Sequence, residues 1–206
     1  MSPPTNEFSR RYWQACMTVR VDKLIILDRD GVINQDRDDY VKSCEEWIPI
    51  PNSLEAIALL TQAGYTLTIA TNQSGIARGY YSLSELHAMH QKMMDLLKPL
   101  SGRIDSIFFC PHTDADQCDC RKPKPGLMHQ IASRYIKSPV DSALPLTHVS
   151  IVGDSLRDLL AGTALGASPH LVLTGKGQGV KKAELPPNTQ IHADLMGFAQ
   201  SILAHP

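Results

Sequence analysis

The stretch KLIILD, Lys23–Asp28, is a short apolar run that stops dead at an acidic loop, DRDG. A run of this length without polar alternation reads as a strand buried on both faces, as in parallel sheets. The pattern recurs along the chain. YTLTIA (Tyr65–Ala70) stops at TNQSG, Ile104–Phe109 stops at CPH, and HVSIVG (His148–Gly153) stops at Asp154. A fifth strand is predicted near His170–Leu173. Helical segments separate these runs. Asn52 and Glu55 form a capping-box-like start, followed by Leu54, Ile57 and Ala58 at helical spacing, and Gly64 closes the segment. Ser82 and Glu85 open a second helix that reaches about Lys98. Further helices are predicted over Gly126–Tyr135, from Asp154 to about Leu165, and over Asp194–Leu203, with Gly175–Pro187 a polar loop. Alternating strands and helices imply an α/β fold: a Rossmann-like doubly wound parallel sheet with helices on both faces. In such sheets ligands bind beyond the carboxyl ends of the strands, where DRDG, TNQSG, CPH…RKPKPG and GDS all fall.

Length and charge narrow the possibilities. A chain of 206 residues supports one sizeable core. Residues 1–20 read as an N-terminal extension and 21–206 as a single domain. A net charge of −1 argues against a general nucleic-acid binder. No apolar run approaches the roughly 18 residues of a membrane span, and the N-terminus lacks the apolar core of a secretory signal. Five cysteines, three of them clustered, suit metal ligation in a reducing cytosol better than a disulfide set. A cytoplasmic monomer is the expectation.

Asp28 and Asp30 directly follow the first strand, and Asp154 ends the fourth. D-x-D-G alone reads equally well as a solvated turn. With Asp154, the carboxylates form an oxygen-rich set suited to Mg²⁺. The four strand-end motifs, LDRDGVIN, ATNQSG, CRKPKPG and VGDSLRD, resemble the haloacid dehalogenase-like phosphohydrolase superfamily in type and order. The resemblance implies that Asp28 is the nucleophile, forming an aspartyl-phosphate. Asp30 is then the general acid and base, with a raised pKa. Thr71 and Lys122 stabilise the phosphoryl group. Mg²⁺ is held by Asp28, Asp30 (through its backbone carbonyl) and Asp154. Asp158 either braces Lys122 or is an ordinary helix residue. Removing Lys122 is expected to stop the chemistry and leave the fold intact.

Cys110, His112, Cys118 and Cys120 give C-x-H then C-x-C, a sufficient tetrahedral set for a structural Zn²⁺. A redox thiol pair and unligated surface cysteines are the alternatives. Neither the segment before Thr71 nor the loop after Phe109 has room for a large cap domain. DRDGVIN, TNQSGIARG and CPH…CDCRKPKPG together resemble the D-glycero-D-manno-heptose 1,7-bisphosphate 7-phosphatase family, which serves nucleotide-heptose and lipopolysaccharide core biosynthesis. That resemblance implies a sugar phosphate substrate bound by Arg121, by Asn72, Gln73 and Ser74, and by the loop carrying Asp36, Asp39 and Tyr40. Ser155 follows Asp154 where some members carry lysine. Two other readings stand beside it: a histidinol-phosphate phosphatase, and a non-catalytic zinc-stapled binding module.

Overall fold

The computed structural model describes residues 23–136 and 146–204. The extension expected over residues 1–20 lies outside them. The chain forms β1 (Leu24–Leu27), α1 (Ser53–Gln62), β2 (Thr66–Asn72), α2 (Leu83–Leu97), β3 (Ser106–Cys110) and α3 (Gly126–Tyr135). It continues through β4 (Ser150–Gly153), α4 (Leu156–Thr163), β5 (Ser168–Val172), β6 (Gln190–His192) and α5 (Leu195–Ala204). The strands make one six-stranded sheet in the order β3-β2-β1-β4-β5-β6, and every pairing is parallel.

β1 lies inside this sheet and is buried throughout, so side-chain alternation feeds two cores. Ile25 and Leu27 join α1, α2 and α5 in one core, through Leu54, Ile57, Leu60, Leu86, Met89 and Phe198. Leu24 and Ile26 join α3 and α4 in the other, with Leu127, Ile131, Ile151 and Ala161. The layered architecture is the one the sequence predicts. β1 and β4 are neighbours whose onward connections, β1 to β2 and β4 to β5, run in opposite directions, so the loops beyond their carboxyl ends part to leave a crevice. Register aligns the chemistry there. Leu27 sits opposite both Ile69 and Val152, so Thr71 and Asp154 emerge level with each other, one residue beyond Asp28. Among the described residues no segment builds a separate cap domain, and no helix is long and apolar enough to cross a membrane.

Local departures from the sequence reading have physical causes. Ser82 and Glu85 form the full reciprocal capping box, whereas Asn52 adopts a left-handed conformation (φ 63°) and makes no side-chain cap. Asparagine tolerates that conformation better than most residues, and the turn uses it so. β6 has no counterpart in the sequence reading. It is three residues long and largely exposed at the sheet edge, too short to show periodicity.

His170 on β5 is buried against the Phe198 ring, and its Nδ1 lies 3.1 Å from His192 Nε2. Burial, then His192, pulls its pKa down to about 4. The unfolded chain takes up this proton near the ordinary value of about 6.5. Stability present above that pH is therefore lost as pH falls toward about 4. Urea melts at pH 7 and pH 4.5 should show the wild type losing about 2 kcal/mol more than His170→Phe; equal losses would rule the effect out.

Candidate active site

A cleft of about 190 Å³ opens beyond the carboxyl ends of β1, β2 and β4. Asp28, Asp30, Thr71, Lys122 and Asp154 all line it, as do Asp36, Tyr40, Asn72, Gln73, Ser74 and Arg121. Asp39 does not: it is exposed and pairs with Arg37 and Lys42.

Asp28 prolongs β1, its N–H donating to Val152 O at 2.9 Å. Its Oδ1 accepts from the Arg29 N–H at 2.7 Å and pairs with Lys122 Nζ at 3.0 Å. Lys122 is buried. Its ammonium also pairs with Asp158 Oδ1 at 2.6 Å and donates to Ala70 O at 2.6 Å, which occupies all three hydrogens. Burial alone would lower the Lys122 pKa; Asp158 and Asp28 reverse this and raise it. Lys122 thus balances charge inside the fold as well as in the cleft. Removing it strands two buried carboxylates, so the expectation that its loss spares the fold is corrected. Asn72 fastens the Lys122 main chain from both sides, Nδ2 donating to Lys122 O at 3.0 Å and Oδ1 accepting from Lys122 N at 3.1 Å.

Asp154 is held from behind. Its Oδ2 accepts from the Lys176 N–H at 2.8 Å. The same oxygen fits against Gly31 (φ 80°) and Gly175 (φ 55°), where a β-carbon would collide with it. Burial, then Asp158, raises Asp154 to about 7. Burial and Asp158 also raise Asp28 well above the carboxylate range, against the pull of Lys122. Ligand oxygens of Asp28, Asp154 and Asp158 lie within 4.8 Å of one another. Asp158 spends its oxygens on Lys122 and on the N–H and hydroxyl of Ser155. Asp28 and Asp154 remain as an oxygen-only pair with too little positive charge around them, a donor set that fits a hard divalent cation such as Mg²⁺.

Asp30, two residues from Asp28, sits in the opposite environment. Its carboxylate accepts from Arg29 Nε (3.2 Å) and Nη2 (2.9 and 3.0 Å), Asn34 Nδ2 (2.8 Å) and Gln73 Nε2 (2.8 Å). Burial alone would raise its pKa; the Arg29 charge and these hydrogen bonds reverse that and lower it. The raised pKa expected from sequence is therefore corrected. With its carboxylate turned to Arg29, Asp30 has only its main-chain carbonyl to offer a metal. Gln73 is likewise an internal brace, buried and bonded to Asp30, Thr71 and Tyr81.

Around the rim, Arg121 Nε bonds Asp114 Oδ1 at 2.6 Å, tying it to the loop that follows β3. Asp36 pairs with Lys176 at 2.9 Å, and the Tyr40 ring lies 5.1 Å from that of Tyr80. Lys176 and Arg157 line the cleft and were not predicted. Arg157 donates to Ser155 Oγ at 3.3 Å, and no carboxylate pairs with it among the described residues.

Behind the rim, Cys110, His112, Cys118 and Cys120 converge. Their donor atoms all lie within 4.8 Å of one another, and five of the six pairs are separated by 3.2–3.7 Å: Cys110–Cys120 3.2, His112–Cys120 3.3, Cys118–Cys120 3.5, Cys110–Cys118 3.6 and Cys110–His112 3.7. Sulfur pairs at these distances are not disulfides. Thiolates about 2.3 Å from a tetrahedral Zn²⁺ stand about 3.8 Å apart, so the cluster has zinc-site dimensions.

Comparison with known proteins agrees with this geometry. Residues 119–196 match the HAD-hydrolase-like family model. The chain is 54% identical over 184 residues to a D-glycero-β-D-manno-heptose-1,7-bisphosphate 7-phosphatase of Neisseria meningitidis serogroup A, covering 88% of this chain and 95% of the relative. It is 51% identical over 180 residues to the enzyme of that name from Pseudomonas aeruginosa, covering 87% and 97%. The crystal structure of D,D-heptose 1,7-bisphosphate phosphatase from B. bronchiseptica, complexed with magnesium and phosphate, superposes with a TM-score of 0.82 at 50% identity, covering 89% of this chain and 99% of that one. The chain belongs to the D-glycero-β-D-manno-heptose-1,7-bisphosphate 7-phosphatase family of HAD-like hydrolases.

Proposed function

We propose that this protein is a Mg²⁺-dependent phosphatase that removes the C7 phosphate of D-glycero-β-D-manno-heptose 1,7-bisphosphate through an aspartyl-phosphate on Asp28. The observation that carries the reading is the division of labour between two carboxylates in one cleft. Asp28 faces Lys122 and the carboxylate cluster, while Asp30 is held apart on Arg29. The curated relatives at about half identity supply the substrate and its anomer. The product belongs to nucleotide-heptose and lipopolysaccharide core synthesis. We read residues 21–206 as one catalytic domain.

Mg²⁺, held by Asp28, Asp154 and the Asp30 carbonyl, neutralises phosphate charge so that an anionic carboxylate can approach. The chain's own groups do the rest. Asp28 attacks phosphorus. Thr71 holds a phosphoryl oxygen; the Lys122 N–H that rests on Asp28 is released as that carboxylate attacks, turns to the phosphoryl oxygens and offsets the charge that develops on them. Asp30 donates a proton to the leaving sugar oxygen and later takes one from the attacking water. Its resting carboxylate is ionised, so it takes a proton from solvent when substrate binds: a phosphate dianion beside Asp30 raises its pKa by like-charge repulsion. Ser74, Asp36 and Tyr40 face the sugar, and Arg121 and Arg157 face the second phosphate. We read the monomer as the working unit. Free thiols in a metal-site arrangement favour the reducing cytoplasm.

Cys110, His112, Cys118 and Cys120 would hold a structural Zn²⁺, because four protein ligands leave no open position for water. It would fix a loop that has little core of its own. Asp114 and the main chain of His112, both on that loop, hold Arg121.

Initial rates with Mg²⁺ should favour the heptose bisphosphate over histidinol phosphate by about 100-fold or more in kcat/KM, since lost contacts to one phosphate alone are worth several kcal/mol. Faster turnover of histidinol phosphate would reject the substrate assignment. Purified protein should carry about one zinc per chain by elemental analysis. Cys118→Ser should lose it and show a lower thermal midpoint and a higher KM. Less than half an equivalent in active protein would reject the zinc site.

A further inference from the structure

We propose that His90, on α2 and outside the cleft lining, is a positioning residue for this reaction: it anchors the guanidinium that aims the Asp30 carboxylate. The inference rests on the reading of Asp30 as the acid at the leaving oxygen.

Arg29 is a buried cation, 1% exposed, whose hydrogen-bond donors all need acceptors. Its Nε and Nη2 edge serves Asp30, and Nη2 also reaches Gln73 Oε1 at 3.1 Å. The other end, Nη1, lies 3.3 Å from His90 Nε2. A guanidinium can only donate, so His90 is neutral here, accepting at Nε2 with its proton on Nδ1. The ring is itself buried. Burial, then Arg29, pulls its pKa down to about 3, consistent with that form.

The rest of the assembly leaves little slack. Gln73 Oε1 accepts from Arg29 and from Tyr81 Oη at 2.6 Å; its Nε2 donates to Asp30 and to Thr71 Oγ1 at 2.9 Å. One amide thus links the acid to the hydroxyl assigned to phosphate. Without the His90 acceptor, Nη1 is a buried donor with an open valence. The guanidinium turns to find another acceptor, and the carboxylate it grips turns with it. Displacements of about 1 Å are enough to cost roughly 100-fold in a proton transfer or attack.

The test compares His90→Leu, which cannot accept, with His90→Gln, whose amide oxygen can. Each is assayed with Mg²⁺ on heptose bisphosphate and on p-nitrophenyl phosphate, whose leaving group needs no proton. kcat/KM reports the first phosphoryl transfer, where the acid acts. His90→Leu should lose about 10–100-fold on the sugar phosphate and markedly less on p-nitrophenyl phosphate. His90→Gln should recover most of the sugar activity, with thermal melts run on both variants. Equal losses on the two substrates, no rescue by glutamine, or full activity in His90→Leu would overturn the proposal. If the wild type cleaves p-nitrophenyl phosphate and another sugar phosphate but not the heptose bisphosphate, only the substrate reading fails, and the sugar phosphate it does cleave serves in the same comparison.

Discussion

A single buried ammonium organises this molecule. Lys122 reaches back from the loop after β3 to place its Nζ between Asp28 at the end of β1 and Asp158 on α4, with Ala70 O of β2 as the third partner. Two strands, a helix and the loop after β3 meet at that atom. A charge this deep is tolerable only because two carboxylates and a carbonyl surround it. The same need dictates the neighbouring loop. Lys122 must enter from a fixed direction, and Asn72 clamps its main chain. The Cys/His cluster lies immediately before it in sequence, so the staple and the cation share one segment. The loop is thereby fixed at both of its tasks, with Arg121 at the rim and Lys122 at the base.

Two aspartates separated by one residue are thereby given different characters. Asp28 stands among carboxylates that outnumber the lysine between them, which suits it to a divalent cation and to a phosphate that brings its own charge. Asp30 is matched with the Arg29 guanidinium. Arg29, the residue between them, keeps its main chain on Asp28 and its side chain on Asp30. One short turn therefore separates two ionisation environments that in solution would be identical. Gly31 makes the turn possible: its positive φ and missing side chain leave space for Asp154.

Much of the plan was legible in the sequence, because apolar runs that end at polar clusters announce buried parallel strands. The carboxylates, Thr71, Lys122 and the Cys/His set stood at those ends and meet in space as the strand order requires. What stayed hidden depends on distance along the chain. Arg29 was in plain view within DRDG, yet nothing local tells a buried guanidinium from a solvated one. Its partners His90, Gln73 and Tyr81 come from other segments. Gln73 looked like a sugar contact because it sits in TNQSG; only packing turns it inward. Arg157 and Lys176 reach the cleft from α4 and from a loop that offered no motif. The Asp30 pKa was misjudged for the same reason, since its sign depends on Arg29 folding back onto its neighbour. β6 and the Asn52 turn fell below the length at which periodicity speaks.

The central claim is that Asp28 carries the phosphoryl group during turnover. Rapid mixing of excess enzyme, Mg²⁺ and heptose bisphosphate, quenched in acid within the first turnover, tests it directly. Peptide mapping by mass spectrometry should find an acid-stable, base-labile phosphoryl group on the peptide containing Asp28, rising and then decaying as inorganic phosphate appears. Phosphate released at full rate with no phosphorylated peptide, or a phosphoryl group on any other residue, would contradict the account.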